Sequence, residues 1–201
     1  MRWVALYLRS RRAPSALVLA AGGTALMWTL WSVFSNARTV DVQMVVLTIL
    51  LLVAVLTVTL SGPDDAFETT AALPWLPRRA VHLLAAFVVV VVPLAVTLAT
   101  GARFGPGWLV VRDAAGLLGL TALGAVTIGT ARSWFLPLAW TLGAVLFPRS
   151  EPLLGRILTW QAQPPSDRAA AVTAVVLTLA GLVTYAVIGP ALRSPAEAAQ
   201  Q

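Results

Sequence analysis

Asp64, Asp65 and Glu68 are the densest group of acids in this chain. Carboxylates at that spacing can hold a divalent cation or favour the start of a helix. Clamping magnesium and a pyrophosphate takes carboxylates from two facing helices, and no second acidic cluster exists. The other reactive side chains are scarce. Cysteine is absent, which removes disulfides, thiol catalysis and cysteine metal sites, and the single histidine, His82, cannot build a transition-metal centre. All 14 basic residues are Arg, so the lysine of a Walker A phosphate loop and the lysine of a Schiff base are both missing. The sequence therefore predicts no catalytic residue, no metal ligand and no cofactor held by this chain.

The elements that carry these residues are apolar. Of 201 residues, 59% are hydrophobic and 11% charged, against about 25% charged in a soluble domain. A water-soluble fold is excluded. Apolar runs bounded by charge, Gly and Pro predict six membrane spans near 14–34, 40–60, 80–100, 109–130, 132–147 and 169–190. The fifth is short, contains Pro137 and follows the fourth closely, so it reads either as a crossing or as a hairpin dipping partway. The expected fold is all-α: one transmembrane domain with an interfacial helix over 1–13, a six-helix bundle over 14–193 and a flexible tail over 194–201. Arg2, Arg9, Arg11 and Arg12 precede the first span and place the N-terminus in the cytoplasm, and six spans return the C-terminus there. The net charge of +6 is spread among membrane-flanking segments, which predicts contact with the bilayer and none with nucleic acid.

Three polar features stand out along this frame. Between spans two and three, Gly62 and Pro63 break a helix, Asp64 or Asp65 can cap a new one, Glu68 sits in its first turn, and Pro77, Arg78, Arg79 and His82 reopen a helix at headgroup level. This elbow suits either a soluble partner or topology alone. Arg112 and Asp113 begin the fourth span. Asp113 is a candidate for a polar translocation path or an interhelical bond, with Arg112 snorkelling outward, or both lie in the interface as helix-start charges. Thr121, Ala125 and Gly129 recur every fourth position, Ala115 and Gly119 show the same spacing, and small residues at that period allow close helix approach. Pro93 and Pro137 predict kinks, Leu153 to Trp160 a short surface helix, and Trp75, Trp108, Trp134 and Trp160 an aromatic belt.

The pattern of interfacial helix, acid-to-Arg elbow and small outer helix resembles the six-helix permease subunits of exporter-type ATP-binding-cassette transporters. Asp65-x-x-Glu68-Thr69-Thr70-Ala71, Leu73-Pro74, Arg79-x-x-His82-Leu83, Arg112-Asp113-x-x-Gly116-Leu117-x-Gly119-Leu120, Ser133-Trp134-x-x-Pro137 and Trp160-x-x-x-Pro164 look similar to segments of small actinobacterial permease-like proteins. The resemblance implies a bacterial cytoplasmic membrane protein that pairs with a second permease subunit. It also implies a separate ATPase subunit, with ATP and magnesium bound there, docking on Asp65, Glu68, Arg78 and Arg79. A hydrophobic or amphipathic cargo would suit the generic Leu, Val and Ala spans. The alternatives are a secondary transporter or channel, which calls for intramembrane acids or unwound helices at mid-depth, and a non-transporting membrane scaffold. Asp64-Asp65-x-x-Glu68 also resembles the acidic sequence of membrane prenyltransferases, whose chemistry requires the second cluster this chain lacks.

Overall fold

The computed structural model describes residues 13–60, 75–146 and 153–191. These form the α-helices α1 (Ala13–Phe34), α2 (Val42–Leu56), α3 (Trp75–Thr97), α4 (Gly107–Thr127), α5 (Phe135–Leu146), α6 (Leu153–Leu158) and α7 (Arg168–Ile188). Tight 3-10 turns follow at Thr57–Thr59, Thr130–Arg132 and Trp160–Ala162. The expected interfacial helix over 1–13, the elbow acids Asp65 and Glu68, and the tail over 194–201 fall almost entirely outside the described residues.

Among the described residues five segments are long and apolar enough to cross a membrane: α1, α2 with its 3-10 turn, α3, α4 and α7, of 18 to 23 residues. At 1.5 Å per residue they reach about 27–35 Å, matching a hydrocarbon core of about 30 Å. Among the described residues the predicted span at 132–147 is not confirmed as a sixth such helix. Its helical part, α5, has 12 residues, about 18 Å. A positive φ of 88° at Gly129 and the 3-10 turn after it delay the start, and the described part of this stretch ends at Leu146. Pro137 lies in the first turn of α5, where its missing N–H costs no helical bond, so the kink expected there does not arise. Helix α3 runs on through Pro93.

Direction along the bundle follows from a few contacts. Gly119 of α4 meets Leu177 and Gly181 of α7, and the Ala191 N–H donates to the Ala125 carbonyl at 2.9 Å. Helices α4 and α7 thus run the same way. The chain between them, 128–167, returns from one end of the bundle to the other, with α5 and α6 as its helical parts. At the end where α2 finishes and α3 starts, the Tyr185 hydroxyl donates to the Leu60 carbonyl at 2.8 Å and His82 lies 3.1 Å from the Thr59 hydroxyl. We call this the proximal end. At the distal end the α1–α2 and α3–α4 connections are zipped together: Val40 N–H donates to the Arg103 carbonyl and Arg103 N–H to the Arg38 carbonyl, both at 2.8 Å. Asp41 caps α2 there by accepting from the Gln43 N–H at 2.9 Å.

Helix α4 is the axis. Fourteen of its 21 residues are buried, and it packs against α2, α3, α5 and α7. Helix α1 buries only the stripe Ala16, Ala20 and Thr24, and small residues at that period are how helices approach where lipid makes burial of Leu no driving force. The buried hydroxyls are closed on their own helices: Thr24, Thr48, Thr121 and Thr141 each donate to the carbonyl four residues earlier, at 2.7 to 3.0 Å. They add no polarity to the interior.

Candidate functional site

Three places on this bundle hold chemistry. The first is the distal clamp. Arg112 and Asp113 occupy the second turn of α4, and both are buried, at 3% and 0% exposure. Arg112 does not snorkel outward, and the two side chains do converge despite their 100° offset along the helix. The Arg112 side chain is long enough to fold back, so its Nε donates to Asp113 Oδ1 at 2.8 Å. Its Nη1 donates to the Pro164 carbonyl at 3.1 Å, and its Nη2 to the Gln163 and Gln161 carbonyls at 3.2 and 3.4 Å. The guanidinium thus pins the segment after α6 onto the end of α4, using the forked donors that only Arg presents.

The same segment is held by its aromatic ring. Trp160 is fully buried against Gly116, where a Cβ would lie 2.4 Å from the ring. It is a core residue and not the interfacial anchor expected of it. Two separated parts of the sequence pattern, Arg112-Asp113-x-x-Gly116 and Trp160-x-x-x-Pro164, therefore form one structural unit. Asp113 Oδ2, Trp160 Nε1 and both amide atoms of Gln161 are buried without a protein partner among the described residues. Gln161 was not singled out in the sequence, because a Gln in a polar loop gives no sign of burial. Among the described residues no group of His, Cys, Asp or Glu could hold a metal.

Just outside the clamp, Asp167 caps α7 by accepting from the Ala170 N–H at 2.8 Å and pairs with Arg156 of α6, whose Nε is 3.0 Å away. The Ala170 N–H first, and Arg156 after it, hold the Asp167 carboxyl below the usual carboxylate range, more than partial desolvation raises it. A depressed pKa means this contribution is complete above the unfolded value near 4 and is lost as pH falls through the lower folded value. Asp167→Ala should cost about 0.5–2 kcal/mol at pH 7, as for other caps. Asp167→Asn, which keeps the cap, should cost less and lose the acid dependence, as read from thermal midpoints at pH 7 and pH 3.

The second place is the proximal rim. Arg78 is exposed in the first turn of α3, with its guanidinium carbon 5.5 Å from the centroid of the Trp75 ring. Such stacking fixes a cation at the surface. Arg79 lies across the C-terminal end of α7, where a Cβ on Gly189 would fall 2.5 Å from the guanidinium. The helix dipole favours a cation there. Of the four elbow residues, Arg78 and Arg79 are thus placed on one rim, while Asp65 and Glu68 are outside the described residues.

The third place was not legible in the sequence. An apolar groove of about 400 Å³ opens between α3, α4 and α7, lined by Leu83, Leu84 and Phe87, by Ala115 and Ala122, and by Leu182 among others. Comparison with family models, with curated proteins and with solved structures finds no match for the chain.

Proposed function

We propose that this membrane protein is the permease-type subunit of an ATP-binding-cassette transporter, works as a pair, and moves a hydrophobic or amphipathic substrate using a separate ATPase. One observation carries the reading: the axis of the single chain is filled. Helix α4 is buried on most sides, the buried threonines bond their own helices, and the buried Arg112–Asp113 pair is locked to backbone carbonyls. Among the described residues a path through one copy has no polar lining, which argues against a channel or a secondary transporter built from this chain alone. A path between two copies needs no such lining within either. The exposed apolar faces of α1 and α7 leave room for a second subunit beside the lipid.

The common direction of α4 and α7 supports a topology with both termini on the face that carries 61–79. The positive-inside rule makes that face cytoplasmic in a bacterial membrane. Docking of the ATPase on Asp65, Glu68, Arg78 and Arg79 belongs to the same proposal, and the exposed Arg78 on that rim supports it.

Reversing the acid of the elbow tests the reading. The tagged chain, purified in mild detergent from its native membrane, should retain an ATP-binding-cassette ATPase, and Glu68→Arg should lower retention at least about tenfold, since like charges at a complementary surface cost several kcal/mol. A simple helix-start charge would cost only about 0.3–1 kcal/mol of local stability. Wild-type chain that brings down no such ATPase, or retention unchanged by Glu68→Arg, would overturn the docking assignment.

A further inference from the structure

Asp113 Oδ2, the Trp160 indole N–H and both polar atoms of the Gln161 side chain share one condition: each is buried, and none has a protein partner among the described residues. They belong to one unit. Arg112 donates through Nε to Asp113 Oδ1 at 2.8 Å and through Nη2 to the Gln161 carbonyl at 3.4 Å, so a single guanidinium ties the two residues together. Trp160 precedes Gln161 in the chain, and the edge of its ring lies on Gly116, one turn along α4 from Asp113. A polar group taken out of water and left unbonded destabilises a fold, and buried polar groups in folded proteins are almost always bonded to protein or to ordered water. The clamp therefore lacks one component.

The chemistry of the set selects that component. Arg112 and Asp113 already balance each other's charge, so an added ion would stand uncompensated in the interior. A cation would also face the indole N–H, the amide N–H and the guanidinium, and an anion would face the carboxylate. Two acceptor atoms, Asp113 Oδ2 and Gln161 Oε1, stand with two donor atoms, Trp160 Nε1 and Gln161 Nε2, and turning the amide over leaves that count unchanged. A neutral molecule that donates and accepts in equal measure matches it, and water bridges buried groups of this kind. We infer that the distal clamp binds ordered water between Asp113 of α4 and the Trp160 and Gln161 side chains of the segment after α6. Arg112 holds the carbonyls of that segment directly, and the water ties its side chains to the same helix. The water goes no deeper, because the Trp160 ring covers Gly116, and Leu117 and Leu120 beyond it are buried and apolar. The site is independent of the transporter reading.

Two measurements on the full chain test the assignment. In bilayers, with isotope-labelled tryptophan and valine, proton-detected solid-state NMR starts magnetisation on water and reads its arrival at each N–H. The Trp160 indole signal, identified by its loss in Trp160→Phe, should rise at short transfer times, well ahead of the amide of Val90, which is 0% exposed within α3. A Trp160 indole, itself 0% exposed, that rises as slowly as Val90 would show a dry clamp and overturn the assignment. The second measurement turns on a sign. Gln161→Met keeps the length of the side chain and removes both polar atoms. If the amide is bonded through water, the thermal midpoint in detergent should fall by about 2–4 °C, the contribution of one net hydrogen bond in a chain of this size. A midpoint unchanged or raised, the result of deleting an unbonded amide, would overturn the assignment as well. Replacing sodium by choline, or chloride by gluconate, at constant ionic strength should leave the wild-type midpoint where it is. A wild-type shift that Gln161→Met abolishes would give the site to an ion instead of water.

Discussion

Arg112→Leu should be the most damaging single substitution in the described bundle, at about 3–5 kcal/mol. It strands the Asp113 carboxylate at 0% exposure, with Oδ2 lacking a protein partner among the described residues. It also removes every donor that the Gln161, Gln163 and Pro164 carbonyls receive from Arg112. The loss of net charge pairing is only part of the effect, because a buried pair itself earns little over well-packed apolar groups. What the substitution creates is an uncompensated charge beside the Gln161 and Gln163 carbonyls that lose their Arg112 donors, while the Pro164 carbonyl keeps the Asp167 N–H. Arg112→Lys keeps the charge but offers an ammonium where a planar fork spans two elements, so it should fall between wild type and Arg112→Leu. Asp113→Asn leaves the guanidinium on its carbonyls and should cost less than Arg112→Leu.

Thermal midpoints in detergent order these variants, with Arg112→Leu lower by roughly 6–20 °C. A second measurement separates loosening of the loop from global loss. The chain has no cysteine, so Gln163→Cys supplies a single thiol on the clamped segment. That thiol should react faster in the Arg112→Leu background at temperatures well below the midpoint. An unchanged midpoint and an unchanged labelling rate would show that the clamp does not hold the segment.

How far the sequence reaches is visible at these same residues. Five membrane-length helices were legible, because each is a continuous apolar run bounded by charge, Gly or Pro, and their ends fall within a few residues of the expected ones. The fifth predicted span was not resolved by hydropathy. Its apolar residues are as numerous as a short crossing needs, but the turn at Gly129 delays the helix, and among the described residues 12 are helical. Asp113 and Arg112 were conspicuous as charges inside a span. Where they point was set by a segment about 50 positions later, whose carbonyls no local pattern announces. Trp160 read as a belt residue because it stands near a span end, and only the gap at Gly116 shows why it turns inward. The groove belongs to three helices at once, so no single stretch contains it.

Of the small residues singled out along α4, Gly119 does mark a close helix contact, while Gly129 meets nothing, and Gly119 leads to the second large effect. Gly119 and Gly181 pack backbone to backbone: a Cβ on Gly119 would lie 2.4 Å from the Leu177 carbonyl oxygen, and one on Gly181 would lie 2.2 Å from that of Gly119. Neither obstruction is a side-chain end that could swing away. Adding one methyl at either position must therefore push α4 and α7 apart along the most extensive helix contact in the bundle. In lipid this separation is costly for a specific reason. Association there rests on close van der Waals contact, with no gain from hiding apolar surface from water, and that contact decays within a fraction of an ångström. Gly181→Ala should cost about 1–3 kcal/mol and Gly119→Leu more, against a gain from helix propensity of about 0.5–1 kcal/mol that works the other way. Gly143 of α5, where an added Cβ meets nothing within 4 Å, is the control: Gly143→Ala has only the propensity gain and should raise the midpoint or leave it unchanged. If Gly119→Ala and Gly181→Ala behave like Gly143→Ala, the two backbones are not in contact, and the parallel pairing of α4 and α7 that sets the course of residues 128–167 falls with them.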